Sequence, residues 1–150
     1  MSNLTKENIL EILKDLSKIT NSINDNVDLN ILHDSPRTDV LLEVMIKKHK
    51  NLFNSILKKG FPNKKNKFFY YTHKAVATND IYFVRKIFEH YEEYNINIFE
   101  LDKHQNNALH IAFGMTNRNI DIINYLINKG ISLSDKNKEG LTPEDLIKNG

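Results

Sequence analysis

The sequence predicts an all-α protein built as an array of short helix pairs. Three observations carry this expectation. Leu52-Phe-Asn-Ser-Ile-Leu-Lys-Lys-Gly60, Phe83-Val-Arg-Lys-Ile-Phe-Glu89 and Ile122-Ile-Asn-Tyr-Leu-Ile-Asn-Lys-Gly130 share one apolar pattern at helical spacing. Two of them close on Lys-Gly, a cation in the last turn followed by a residue able to take the left-handed cap. Ahead of the second and third lies another common pattern, His73-Lys-Ala-Val76 and His110-Ile-Ala-Phe113. His73 and His110 are 37 residues apart, and Asp145 in Leu141-Thr-Pro-Glu-Asp-Leu-Ile147 follows His110 by 35. The unit is a helix pair of about 33 residues with small insertions.

In chain order, Ile9, Ile12, Leu13, Leu16, Ile19 and Ile23 form one amphipathic stripe, with Thr5 as N-cap and Glu7 in the first turn. Residues 24–36 are rich in Asn, Asp and Ser and form an irregular connection, pinned by Leu29, Ile31 and Leu32. Residues 1–35 thus make an N-terminal capping helix with its connection. Repeats occupy residues 36–150, at about 36–61, 62–94 and 95–134, with a partial unit over 135–150 and an insertion at Tyr91 to Tyr94. A repeat cannot bury its own apolar face, so the units must stack, and the N-terminal helix covers the exposed side of the first. The last unit stops after one helix. Either that helix caps the array through Glu144, Asp145 and Lys148, or more chain follows in the full protein.

The chain of 150 residues is long enough for one domain with a real core. It has no apolar run of membrane-spanning length and no signal-peptide core, since Lys6, Glu7, Glu11 and Lys14 interrupt the leading leucines. With zero cysteines there is no disulfide framework, thiolate metal site or cysteine nucleophile, and the expected setting is cytoplasmic. Asn, Lys and Ile are frequent, as in proteins of AT-rich genomes, so isolated asparagines carry no weight as ligands. The net charge of +2 is unevenly spread. Residues 44–79 contain no acid but nine lysines: Lys47, Lys48, Lys50, Lys58, Lys59, Lys64, Lys65, Lys67 and Lys74.

The repeat resembles the ankyrin repeat, in which a Thr-Pro-Leu-His turn opens a first helix and the second helix ends in Gly before a hairpin finger. Asn107-Ala-Leu-His110-Ile-Ala112 stands for the first-helix motif, and residues 120–127 for the second helix. Ile131-Ser-Leu-Ser-Asp-Lys-Asn-Lys-Glu-Gly140-Leu-Thr-Pro143 matches the finger and the next repeat start, including Thr142 and Pro143. The likeness is weaker over residues 72–88 and weaker again over 39–60. It implies an ankyrin-repeat solenoid of about three to four helix pairs with short fingers, acting as a non-catalytic protein-binding module. Carried over by position, its contact surface comprises Lys65, Asn66 and Lys67, then Ala77 and Thr78. In the next unit come Lys103, His104 and Asn106, then Gly114 and Met115, and on the last finger Lys136, Lys138 and Glu139. Small ankyrin proteins of this composition resemble effectors of intracellular bacteria and inhibitors from large DNA viruses, which occupy a host protein in the host cytoplasm.

The resemblance gives His110 a structural role, its ring bonded to a turn, and His73 the same role in a unit that lacks the Thr and Pro. The residues themselves leave catalysis open at His104 and His110, but no enzyme signature accompanies them: no nucleophile elbow, and no phosphate-binding loop among five glycines. His33, His49, His73, His90, His104 and His110 include no i, i+4 pair, so neither metal nor cofactor is expected. The basic block over residues 47–67 has three readings: a solvated loop, a site for an acidic protein, or a nucleic-acid or anionic-membrane surface. It contains lysines with the adjacent aromatics Phe68, Phe69, Tyr70 and Tyr71, but no arginine, the residue that bidentate phosphate recognition prefers.

Overall fold

The computed structural model describes residues 40–62 and 70–149. The expected N-terminal helix, the connection over residues 24–36, and Lys65, Asn66 and Lys67 lie outside the described residues. The chain divides into two compact units, Met1–Phe69 and Tyr70–Gly150. Among the described residues the regular elements are all helical, and no helix is long and apolar enough to cross a membrane.

In the first unit, α1 (Val40–Ile46) packs on α2 (Lys50–Lys58). Leu41, Val44 and Met45 recur at i, i+3 and i+4, Leu52, Phe53 and Ile56 at i, i+1 and i+4, and all six are buried. The link between the helices is short because Lys48 turns the chain at φ 58.

The second unit holds two helix pairs and a closing turn. Its helices are α3 (Tyr71–Ala77), α4 (Ile81–Glu93), α5 (Ala108–Phe113) and α6 (Ile120–Asn128), followed by a 3-10 helix at Pro143–Asn149. Within each pair the helices pack together; α3 also packs on α5, α5 on the 3-10 helix, and α4 on α6. First helices therefore form one layer and second helices another. Between the layers lie Val76, Phe83, Ile87, Phe88, Leu109, Ile122 and Leu126, with the loop residues Ile96, Ile98 and Ile131.

Two sequence expectations need correction here. Tyr91 is no insertion: it is fully buried, and its carbonyl takes the cap bond from Ile96. The extra length is one turn inside α4, which has 13 residues against 9 in α6, and the turn of residues 114–119 between α5 and α6 is longer than that of 78–80. The last first-helix is also a 3-10 helix rather than an α-helix.

Helix ends carry the strictest repetition. Phe61 N–H donates to Ile56 C=O, Ile96 to Tyr91 and Ile131 to Leu126, at 3.4, 2.8 and 3.1 Å. One residue earlier, Gly60, Asn95 and Gly130 donate to Leu57, Glu92 and Ile127, all three with positive φ. This paired bonding from a left-handed residue is the Schellman closure, and it recurs every 35 residues. Asn95 stands where the other two have glycine because Asn tolerates the left-handed region better than most residues.

Gly130 has φ 91, and an added Cβ would meet only the Phe99 ring at 3.7 Å, an ordinary contact. Gly130→Ala should therefore cost about 1–2 kcal/mol through backbone strain alone, measured as a lower urea midpoint with unchanged helical circular dichroism.

Candidate partner-binding surface

His110 is the third residue of α5 and is 1 % exposed. Its Nδ1 accepts from the Asn107 backbone N–H at 3.0 Å, while Asn107 Oδ1 accepts from the His110 N–H at 3.0 Å. This reciprocal pair is a capping box in which an imidazole replaces the usual Glu or Gln. On the far side of the ring, Nε2 donates to the Leu141 carbonyl at 2.9 Å. A backbone N–H can only donate and a carbonyl can only accept, so these partners require the tautomer protonated at Nε2. Asn107 Nδ2 also donates to the Ser132 carbonyl at 2.9 Å. Two adjacent side chains thus cap their own helix and hold the following loop.

The same position is filled differently in the neighbouring units. Asp145 accepts from the Thr142 N–H at 2.9 Å and donates its own N–H to Thr142 Oγ1 at 3.3 Å, repeating the box 35 residues on, ahead of the buried Pro143. His73 makes only the outward reach, donating from Nε2 to the Glu100 carbonyl at 3.1 Å. Thr72 beside it donates to Glu100 Oε1 at 2.7 Å, and Thr72, His73 and Glu100 are all buried. Burial pushes the His73 pKa below its ordinary value, against the opposing pull of the Glu100 carbonyl and the Asp102 charge.

The fingers are tight turns, and the two described ones coincide bond for bond. Asp102 N–H donates to Asn106 C=O and Asn137 N–H to Leu141 C=O; Gln105 N–H donates to Asp102 C=O and Gly140 N–H to Asn137 C=O. In each turn the leading side chain accepts two further N–H groups: Asp102 Oδ1 from His104 and Asn106, and Asn137 Oδ1 from Glu139 and Leu141. Against burial, which raises it, these bonds hold the Asp102 carboxyl below its ordinary pKa. The turns are joined by Lys138 N–H to His104 C=O and by Asn137 Nδ2 to Asn106 Oδ1, both at 2.9 Å.

This stacking brings Lys103, His104, Lys136, Lys138 and Glu139 together as exposed side chains on adjacent tips. Asn106 departs from the expectation of a contact residue. It is half-buried, and its amide is engaged by Asp102 and Asn137. A second group gathers at the opposite ends of the first helices. There the exposed Ala77 and Gly114 and the half-buried Met115 flank turns tied by Asn79 Nδ2 to Asn117 C=O and Asn119 Nδ2 to Asn79 C=O. Thr78 belongs to the scaffold, its hydroxyl donating to Ala75 C=O at 2.6 Å and accepting from the Asp80 N–H.

The loop entering the first tip holds residues that the sequence reading did not assign. From Ile96 to Leu101 it alternates buried and exposed, but with its chemistry inverted at the end: Glu100 is inside, while Phe99 and Leu101 are 51 % and 45 % exposed. The alternation was visible in the sequence; the inversion was not, because it depends on Thr72 and His73 reaching Glu100 from 28 and 27 residues away.

In the basic block, Lys47 lies 3.9 Å from Glu43, and the described lysines sit at both ends of α2: Lys47, Lys48 and Lys50 at one, Lys58 and Lys59 at the other. A nine-residue helix separates these groups by about 13 Å, so they do not form one compact cluster on α2. Among the described residues, no group of three His, Asp or Glu side chains is placed to hold a metal.

Replacing His110 by Ala strands the buried Asn107 N–H and removes one of the two bonds to the Leu141 carbonyl, which keeps that from the Asn137 N–H. We expect a loss of about 2–4 kcal/mol in urea unfolding, appearing before any loss of binding. For His73, the unfolded chain takes up a proton near pH 6.5, whereas the folded ring resists it until lower pH. Its stabilising contribution is therefore present above pH 6.5 and lost as pH falls below it. Urea midpoints between pH 7.5 and 5.5 should fall less steeply in His73→Gln than in wild type.

Compared with known protein families and with curated proteins, the chain matches no family model and no curated sequence.

Proposed function

We propose that the chain is a non-catalytic protein-binding module of the ankyrin type, gripping a partner protein through its fingertips and the exposed ends of its first helices. The observation that carries this reading is the pair of finger turns that repeat bond for bond at 35 residues and are hydrogen-bonded to one another. That arrangement holds Lys103, His104, Lys136, Lys138 and Glu139 out on a rigid base, where their side chains are not used by the fold. Rigid presentation lowers the ordering cost of binding. Phe99 and Leu101, exposed beside the first tip, supply apolar area of the kind that anchors an interface, and Met115 offers the same at the opposite end. A cation-rich tip flanked by apolar anchors suits a partner segment that is acidic and contains bulky apolar residues. In a pathogen, such a module would act by occupying a host protein.

The competing reading places nucleic acid or an anionic membrane on the lysines of residues 47–67. It predicts binding that collapses steeply as salt rises. The separation of Lys47, Lys48 and Lys50 from Lys58 and Lys59 along α2 favours the fingertip reading.

The two are distinguished by recovering partners from cell lysate with the wild-type chain, a Lys103→Glu, His104→Ala, Met115→Ala variant, and a Lys47→Glu, Lys48→Glu, Lys58→Glu variant. The fingertip variant should lose partners that the α2 variant retains, at equal stability. Equal recovery of every partner by wild type and the fingertip variant would sink the assignment.

A further inference from the structure

We infer that the two described tips form one site for an extended acidic segment of a partner protein. A bulky apolar side chain of the segment rests on Phe99 and Leu101, and carboxylates two and four positions along from it meet Lys136 and Lys138. The inference rests on the fingertip reading and gives its partner a pattern. The 35-residue register that equates Ile96 with Ile131, Asp102 with Asn137 and Gln105 with Gly140 also equates Phe99 with Ser134, Leu101 with Lys136 and Lys103 with Lys138. All six of these last are exposed. The first row, Phe99, Leu101 and Lys103, is mainly apolar; the second, Ser134, Lys136 and Lys138, is polar and cationic. By the same register Asp135 holds the position from which Glu100 turns inward, and Glu139 that of His104, so neither acid falls in the two rows.

Charge and shape select the occupant. Three lysines with no acid among them attract an anionic partner and repel a cationic one. Phe99 asks for more than an anion. Its ring lies against Gly130, 3.7 Å from where a Cβ would stand, so it is held in place while half of it stays open to solvent. An anchor fixed beforehand loses little freedom on binding. Leu101 adds aliphatic area, and neither row contains arginine, which favours a protein side chain over a stacked base with its phosphate. Distance sets the pattern. Each finger folds back through a bond of the type Asp102 N–H to Asn106 C=O, and the two are joined by Lys138 N–H to His104 C=O. Equivalent positions therefore lie two ladder spacings apart, about 10 Å. In an extended segment the residues two and four positions from the anchor face the same way as it does, at about 7 and 13 Å. The flexible lysine stems close the difference in both cases.

The test follows the backbone amides of the full chain by NMR during titration with the end-capped peptide Ser-Phe-Ser-Glu-Ser-Glu-Ser, which is too short to hold a helix in water. The Leu101 and Lys136 amides should shift saturably, with a Kd of about 1 mM or tighter. Replacing both Glu by Gln, or Phe by Ser, should weaken binding at least about fivefold. Moving both Glu one position toward Phe, onto the opposite side of the segment, should do the same. Leu101→Ser and Lys136→Glu alter exposed positions, so each should keep wild-type circular dichroism while weakening the parent peptide at least about fivefold. No saturable shift at these amides overturns the inference. So does equal binding of the glutamine, serine or displaced peptide, or a short oligothymidylate that shifts the same amides at lower concentration. The partners recovered from lysate answer separately. If the Lys103, His104 and Met115 variant loses them while the peptide does not bind, the fingertip reading stands and the acidic pattern falls; equal recovery by that variant removes both.

Discussion

The bond from the His110 ring to the Leu141 carbonyl is the joint on which the second unit depends. Its importance follows from helix length. α5 has six residues and α3 seven, far below the length at which a helix persists alone in water. Nearly every backbone group in such a helix is a terminal one, so end-capping and packing across units must supply what propagation cannot. Asn107 and His110 meet this need twice, by closing the start of α5 and by holding the loops that lead to the next unit.

The same economy governs the rest of the unit. Asp80 and Asn119 cap α4 and α6 through their side chains, and Asp102 and Asn137 fold the two finger turns around a single carboxylate or amide oxygen. Such side chains replace backbone partners locally, at little cost in bulk. Gln105 shows what the geometry demands. It adopts φ 60 where the next turn has Gly140 at φ 78, because the turn fixes the backbone whatever residue occupies it. Rigidity at the turn bases leaves the tip side chains as the variable part. The tip side chains can then change without disturbing the fold beneath them.

Helix composition was legible from the chain alone, because apolar spacing and Lys-Gly ends are local signals. The 37-residue step from His73 to His110 identified equivalent first-helix positions correctly, since both are the third residue of their helix. Asn107 was legible as the opening of the first-helix motif, but the long-range bonds of Asn79, Asn107, Asn119 and Asn137, which make them parts of the scaffold, were not. Their partners lie 25 to 40 residues away in the chain, so nothing in their immediate neighbours distinguishes them from exposed polar residues. Asn106 moved from surface to scaffold for the same reason, through Asn137, and Thr78 through the local bonds to Ala75 and Asp80 that close its helix, whereas the side chains of Lys103, His104, Lys136 and Lys138 are exposed.

By itself the sequence determined where helices begin and end in most units, which residues face a core, and that units recur at a near-constant step. These are properties of local backbone sterics and of apolar periodicity, which act within a few residues. Only the tertiary structure decided which polar groups belong to the framework, that Glu100 turns inward and Phe99 outward, and that Ile120 and Ile127 of α6 stay exposed while Ile123 is buried. Those outcomes depend on which unit packs against which, a relation that burial and long-range hydrogen bonds create and that no short stretch of chain contains.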